Sequence, residues 1–505
     1  MKTFYRPEWT CGRYDLEHKV ALMYNLMVGE SFFFENLSAQ VIGYILGLKK
    51  KSEIDIKEIS STIKLSEETI INFLNQLCEV GLIINQDPTY AKSSTLRTNL
   101  INKRKKNNHN SNAKIITKRN SDNNAEKAYN NVVKKKMSSA ILELTYECSA
   151  KCIHCYNPGA SRNDNEIDNR RIENPLSAIE YKYLIDELYT LGCYKVTLTG
   201  GDPFSNPLIW DIMDYLNEKE IAFNINTNGI YLSAHMERIL QYYPRCISVS
   251  LYSAIPEVHD SITRIKGSYK KTLSFIKQVS GIGIPLIIKC CVMRVNVKSY
   301  YTVENVAKQY GAKVEFEVSL IDALDGDCCV SNSLLLTPEM LNIVLRDNRI
   351  NLYVGKEIKD YGALTRKPSD RTCNAGDSGL CFSPSGDIRL CVSHPYILGN
   401  IRNQSISEVI RYSKYLQQWK QTTLKDFETC GKFDYCCFCV ICAANNYSSS
   451  GSAIKACKNN CFIAKCRFNL AKLLKEGNDP LGGRSVEECL SNINDTIPSI
   501  RKIWV

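Results

Sequence analysis

Between residue 140 and about residue 340 the chain alternates short apolar, β-branched runs with amphipathic ones, and this rhythm restricts the folds open to it. AILELT, KVTLTG, AFNINTN, CISVSLYS, PLIIKCCVMRVN and VEFEVSL read as strands, while LSAIEYKYLIDELYTLG and SYKKTLSFIKQVSGIG carry a helical period. Strands linked through helices pair in parallel by right-handed crossovers. Six such units predict an α/β body over 138–340, a parallel sheet curled into a partial, TIM-like (β/α)6 barrel. Function in such a body belongs at the C-terminal ends of the strands.

The remainder of the 505 residues calls for further modules. Residues 1–95 run strand, strand, helix, helix, longer helix, strand, the order of a winged-helix-like unit, with Asn36 and Ser66 as expected helix N-caps. DNA binding is disfavoured, because the third helix offers Glu67, Glu68 and Glu79 and no Lys or Arg to a phosphate backbone. The net charge of +11 is concentrated between Arg97 and Lys136, where twelve Lys and Arg meet only Asp122 and Glu126. That Asn- and Lys-rich stretch has few large apolar residues, so 96–137 is expected to be a disordered linker. It lacks the interleaved aromatics of a single-strand binder, and no nucleic-acid partner is expected. No apolar run reaches 18 residues and MKTFYRPEWTCGRYD has no signal-like apolar core, so neither a membrane span nor export is expected. A cytoplasmic location follows as the expectation.

In a reducing compartment, 23 cysteines point to metal ligation or catalysis before disulfides. Cys193, Cys246, Cys290 and Cys291 sit in apolar, strand-like contexts and read as core. Just after the first barrel strand comes Cys148-x3-Cys152-x2-Cys155, followed by Tyr156. Three thiolates on one loop can hold three irons of a cubane and leave the fourth open. A zinc site with His154 as fourth ligand is the alternative, and it would not explain the motifs downstream. The second strand ends in Gly200-Gly201-Asp202-Pro203, where paired glycines allow close approach to a ligand. The third ends in Asn226-Thr227-Asn228-Gly229, the fourth carries Ser250, and Arg264 follows; Asn296 is a weaker candidate.

In order and strand position these motifs resemble the radical S-adenosylmethionine (radical SAM) family over roughly 138–340. The resemblance implies that Cys148, Cys152 and Cys155 ligate a 4Fe–4S cluster. It implies that Gly200, Gly201, Asp202 and Pro203 hold the cofactor's amino group, and that Tyr156, Ser250 and Arg264 contribute to the cofactor site, Ser250 at the ribose and Arg264 at the carboxylate.

Beyond residue 340 the cysteines crowd together, eleven of them from Cys373 to Cys466. A Ser-Gly-Asp turn between FSP and IRLC predicts a hairpin that returns Cys391 beside Cys373 or Cys381. Cys430, Cys436, Cys439, Cys442, Cys457 and Cys461 follow. Residues 341–475 resemble the SPASM extension of peptide-modifying radical SAM enzymes, with Gly386 and Cys391 at its G-x4-C spacing. Phe427 and overlapping C-x2-C pairs depart from the usual pattern, so these nine thiols form a pool of auxiliary-cluster ligands, Cys381 among them. A zinc ribbon needs only four thiols and leaves the rest unexplained. The last segment, 476–505, is expected to be a tail.

With SPASM the resemblance implies S-adenosylmethionine and three 4Fe–4S clusters, one in the barrel and two auxiliary, and an electron donor such as flavodoxin or ferredoxin. The N-terminal unit is similar to the leader-recognition elements of peptide-modifying enzymes, in which a precursor's leader adds a strand to a sheet edge. The expected activity is therefore maturation of a ribosomally made, Cys-rich precursor peptide, with thioether cross-linking of the sactipeptide or ranthipeptide type first. Carbon–carbon or ether cross-linking, epimerisation and side-chain oxidation of the sulfatase-maturing type stay open, as does, more remotely, a non-catalytic iron–sulfur regulator. No general base is evident.

Overall fold

The computed structural model describes residues 3–86, 124–134, 137–161, 167–231, 236–239, 241–324, 333–350, 367–428, 430, 432–439 and 441–493. At the front, β1 (Thr10–Asp15), β2 (Val20–Asn25) and β3 (Glu30–Glu35) form an antiparallel meander. Three helices follow: α1 (Asn36–Gly47), α2 (Ile56–Ile63) and α3 (Glu67–Glu79). The Ser66 side chain accepts from the Thr69 amide and caps α3 as expected, and Asp55 caps α2. Asn36 does not cap α1; it is the first helical residue, at φ +55°, a conformation Asn tolerates and one that lets β3 turn straight into the helix. The strand expected after α3 shrinks to one bridge between Ile84 and Tyr5.

The alternation along β2 gives the small sheet two apolar faces. Ala21 and Met23, with Phe32 and Phe34, pack against α1 to α3. Val20, Leu22 and Tyr24 face the other way, onto Tyr194 and Ala222 of the body and onto a further helix, α4 (Asn124–Val133). That helix corrects the expectation of a disordered linker over 96–137. Ala125, Tyr129 and Val133 recur every four residues and make a buried stripe, which offsets the cost of ordering the segment. Residues 87–123, which hold most of the basic stretch, lie outside the described residues.

Polar contacts fasten the module to the body. Nη2 of buried Arg6 donates to both carboxylate oxygens of Glu220 at 2.6 Å. The Arg13 guanidinium lies 3.6 Å over the Tyr189 ring and donates to the Cys193 carbonyl at 2.7 Å. Buried Glu126 of α4 pairs with Lys195 and Arg245 and accepts from the Tyr24 hydroxyl at 2.8 Å.

In the body, β4 (Ser139–Glu143), β5 (Lys195–Thr199), β6 (Ala222–Thr227), β7 (Cys246–Ser250), β8 (Leu286–Cys291) and β9 (Lys313–Glu317) pair in parallel in chain order. Between them run α5 (Ala178–Thr190), α6 (Ile209–Glu218), α7 (Pro256–Thr263), α8 (Ser268–Ile282) and α9 (Val303–Gln309). Val196, Leu198, Phe223, Ile225, Ile247, Val249 and Ile288 belong to the main core with the helices. Their alternates Thr199, Asn226, Ser248, Ser250 and Lys289 line a cavity on the opposite face.

The hairpin expected after residue 373 is present as β10 (Gly379–Phe382) and β11 (Asp387–Arg389), with Cys381 opposite Arg389. Its place was not anticipated: β10 pairs in parallel with β4, and β12 (Ile397–Asn400) completes a nine-stranded sheet. The expected tail also needs correction. Ser485 caps a helix at Val486–Ser491, whose Val486, Cys489 and Leu490 enter the main core. Residues 494–505 lie outside the described residues. Among the described residues no helix is long and apolar enough to cross a membrane.

Candidate functional site

The β4 strand runs into the loop that carries Cys148, Cys152 and Cys155, and neighbouring elements hold that loop. Lys151 and Ile153 donate backbone N–H groups to the carbonyls of Thr263 and Ile262 at the end of α7. Arg170, gripped by Asp168, donates to the carbonyls of Ala150 and Cys148 at 3.0 and 3.2 Å. The Asn228 amide donates to the Cys148 sulfur at 3.2 Å, and Tyr252 hydrogen-bonds Cys152. Burial pushes the Cys148 thiol up to about 12 and the Cys152 thiol higher still. A buried thiolate needs cationic compensation, and iron bound to all three would supply it.

The glycines of the second strand end serve the loop directly. A Cβ on Gly200 would stand 2.1 Å from the Thr145 carbonyl oxygen, and one on Gly201 would stand 2.3 Å from that of Glu147. Gly200 also sits at φ +128°, a region closed to other residues. The turn thus nests against the backbone that leads into Cys148. A cavity of about 220 Å³ opens beside it, lined by the three cysteines, Tyr156, Gly200, Gly201, Ser250 and the cations of Arg170 and Lys289.

Three of the expected cofactor residues, Asp202, Pro203 and Arg264, lie outside the cavity lining. Asp202 is fully buried, accepts from Thr227 Oγ1 at 2.7 Å and the Asn228 amide at 3.0 Å, and caps Phe204. It ties the ends of β5 and β6 together behind the cavity, and Pro203 starts the short 3-10 turn that follows. Arg264 closes α7 at φ +57° and donates to the Ser161 carbonyl and hydroxyl at 3.2 Å, outside the cavity lining. Asn296 holds the β8 end, donating to the Tyr252 and Cys291 carbonyls. The sequence reading passed over Arg170 and Lys289. Only the β8 alternation could have pointed to Lys289, and nothing local marks Arg170.

Half-buried His154 lines the cavity, and desolvation lowers its pKa to about 4. Among the described residues, no three thiols bring their sulfurs within 4.8 Å of one another. A zinc ion with Zn–S bonds of about 2.3 Å requires such convergence, whereas a polynuclear cluster does not. In the Cys-rich region, Cys430, Cys436, Cys439 and Cys461 line one small cavity under Phe433, Tyr435 and Ile441. Cys373, Cys391 and Cys442 are not among its lining residues and lie close together: Cys373 and Cys442 both help to push up the Cys391 thiol, and Cys373 helps to push up that of Cys442.

Residues 142–301 match the radical SAM superfamily, and residues 373–443 match SPASM, an iron–sulfur cluster-binding domain. The chain is a radical SAM protein with a SPASM domain. Among similar proteins is AlbA, the antilisterial bacteriocin subtilosin biosynthesis protein of Bacillus subtilis, 26% identical over 65% of this chain and 71% of AlbA. The AdoMet-dependent heme synthase of Methanosarcina barkeri is 24% identical over 62% of the chain and 93% of its own length. The mycofactocin maturase MftC of Mycolicibacterium smegmatis is 25% identical over 58% of the chain and 75% of its own. The solved structure of anSMEcpe with bound AdoMet superimposes with a TM-score of 0.51 at 15% identity, over 67% of this chain and 98% of that one, and shares the fold of this radical SAM/SPASM protein. Its cofactors are S-adenosylmethionine and iron–sulfur clusters, and the donor sets fit: three thiols beside a cavity with two cations, and further thiols gathered in pockets of the SPASM region.

Proposed function

We propose that this protein matures a ribosomally made, leader-bearing, Cys-rich peptide by radical chemistry, forming thioether cross-links between cysteine sulfur and a peptide carbon. The observation that carries the reading is the cavity at the C-terminal ends of β4 to β8, where the Cys148, Cys152 and Cys155 loop, the Gly200-Gly201 turn, Ser250 and Lys289 meet. The similarity to AlbA, a bacteriocin biosynthesis protein, and to MftC, a maturase, supports a peptide as the target. In this reading Cys148, Cys152 and Cys155 hold the iron cluster, and Arg170 and Asn228 fix their loop. Gly200 and Gly201 give the cofactor's amino group room at the backbone, Ser250 receives its ribose, and Lys289 offers a cation to its carboxylate. Asp202 acts from behind, keeping the β5 and β6 ends together. Once bound there, the cofactor supplies a 5′-deoxyadenosyl radical able to remove hydrogen from a peptide carbon.

The N-terminal module would take the leader at a sheet edge. It packs near the starts of β5, β6, β7 and β8, through Lys195, Glu220, Arg245 and a close approach of Gly29 to Pro285. The chemistry lies at the other strand ends. A peptide held by the module must therefore span a strand's length, about 17–20 Å or some six extended residues, before reaching the cavity. The deciding experiment is anaerobic reconstitution with the leader-bearing Cys-rich peptide encoded beside the gene, followed by mass analysis. Loss of two hydrogens per cross-link with every thiol masked is expected. The same loss with thiols still free to alkylate refutes thioether formation, and undiminished turnover after deletion of residues 1–95 refutes leader capture by the module.

A further inference from the structure

Ten thiols from Cys373 to Cys461 compete for the eight positions that two cubane clusters offer. The fold separates them. Cys430, Cys436, Cys439 and Cys461 share one cavity and complete one set of four. Cys437, next in chain to Cys436, instead directs its sulfur to the Asp434 carbonyl at 2.9 Å. Cys373, Cys391 and Cys442 form a second group that lacks a fourth member, for which Cys381 and Cys457 are the candidates.

Two consecutive helices decide between them. Cys442 is the N-cap of α10 (Ala443–Ser450), and Cys457 is the N-cap of α11 (Lys458–Lys475). Asn446, one turn into α10 and 1% exposed, accepts the Cys457 backbone N–H at 2.9 Å while donating to the Ala453 carbonyl at 3.0 Å. One buried side chain thus holds the start of α11 against the first turn of α10 and brings the two N-cap cysteines together. Both thiols stand at helix N-termini, where the backbone dipole favours anionic sulfur. Cys457 is buried, at 2% exposure. Cys381 is placed differently. It lies on β10 between Leu380 and Phe382, both in the main core, and pairing of β10 with β4 on one side and β11 on the other fixes its direction toward the opposite face. There its neighbours are Tyr156 and Cys391, whereas Cys442 has Cys373 and Cys457 beside it.

We propose that Cys457 is the fourth ligand to the cluster begun by Cys373, Cys391 and Cys442, so that protein thiolates close both SPASM clusters and neither keeps an iron for a substrate sulfur. The inference rests on the reading of the SPASM domain as a two-cluster site and deepens the proposed chemistry. With no open auxiliary iron, the peptide cysteine meets the carbon radical as a free thiol. The carbon–sulfur bond would form as the S–H bond breaks, its proton passing to solvent, and an oxidised 4Fe–4S cluster held by these thiolates would take up the one surplus electron.

The test uses the full chain carrying Cys148→Ala, Cys152→Ala and Cys155→Ala, which removes the cluster that has an open iron by design. After anaerobic reconstitution, iron and sulfide are counted, and 13C-cyanide is added to the reduced protein as a probe of open iron by pulsed EPR. About eight irons per chain and no 13C coupling are expected. Adding Cys457→Ala should create the coupling, and adding Cys381→Ala should not. Cys457→Ser, which keeps an oxygen donor, should retain the iron and shift the g values of one cluster, while Cys381→Ser leaves the spectrum unchanged. Coupling before any change at Cys457, or a response to Cys381 in place of Cys457, overturns the assignment. About four irons in the parent overturns the two-cluster reading itself and the assignment with it.

Discussion

Glu126 gives the sharpest test of how the N-terminal module is held. Its carboxylate is 4% exposed, faces Lys195 and Arg245, and accepts from Tyr24. Burial pushes its pKa up, but the two cations and the hydrogen bonds outweigh burial and the net direction is down. Glu126→Gln keeps the shape and an acceptor for Tyr24 while removing the charge. Leaving a buried cation without its partner costs about 3–5 kcal/mol. That corresponds to a hundredfold or greater rise in the population of module-detached molecules, at about 1.4 kcal/mol per factor of ten. The assay is hydrogen exchange at the β2 amides, with the β5 and β6 amides as internal reference, since local opening is the quantity sought. Exchange in β2 should accelerate strongly while β5 and β6 hold. A cycle with Lys195→Met should show strong coupling, because either change alone strands the other charge. The sign with pH is fixed by the direction of the shift. A carboxyl whose folded pKa is depressed contributes fully above its unfolded value, near 4.3, and loses that contribution as pH falls through the folded one. Wild-type β2 protection should therefore decay on acidification, and Glu126→Gln should lack that component. Unchanged β2 exchange in Glu126→Gln at pH 7, or effects of Glu126 and Lys195 that simply add, refutes the reasoning.

Three further outcomes follow from the site and its supports. Arg170→Met removes donors to the Cys148 and Ala150 carbonyls and should speed chelator-driven iron release from the Cys148 loop by roughly tenfold to a hundredfold, as expected for about 1.5–3 kcal/mol of charged hydrogen bonding. Gly201→Ala forces a methyl against the Tyr146 and Glu147 carbonyl oxygens and should cost about 1–3 kcal/mol or more in thermal unfolding, with loss of 5′-deoxyadenosine production. Buried His259 accepts the Tyr252 N–H through Nδ1, and burial lowers its pKa to about 4. The unfolded chain binds that proton first, so stability should be level above pH 6.5 and fall by up to about 3 kcal/mol as the pH drops to the folded value, and His259→Asn should flatten this fall in denaturant midpoints.

The barrel was legible because each strand's alternation is complete within a few residues: Val196 and Leu198 against Thr197 and Thr199 already separate helix face from cavity face. The Cys148 loop was legible for the same reason, since its three ligands lie within eight residues. What the sequence concealed depends on distant partners. Asp202 reads as a cofactor residue until Thr227 and Asn228, on the next strand, are seen to use its carboxylate. Helix α4 was hidden by its basic surroundings, although Ala125, Tyr129 and Val133 carry the helical period; the face they cover belongs to a sheet about a hundred residues earlier. The Cys-rich region resisted ligand assignment because spacing gives reach but not direction, and direction is set there by helix N-caps and by one buried asparagine.

The joint between barrel and SPASM region shows what such distant contacts accomplish. Glu143 on β4 and Arg389 on β11 form an ion pair of almost fully buried side chains, and the Tyr146 hydroxyl lies 3.2 Å from the Arg389 guanidinium. As stabilisation a pair like this is weak, because desolvation of both charges offsets most of their attraction. As a register lock it is strong. If β10 and β11 slipped one residue along β4, every side chain of the hairpin would exchange faces, stranding Glu143, turning Arg389 to the core face occupied by Leu142 and expelling Leu380 and Phe382 from the core. β4 leads within five residues to Cys148, and β11 leads within two to Cys391. The same ion pair therefore sets the distance between the loop where the radical would begin and Cys391.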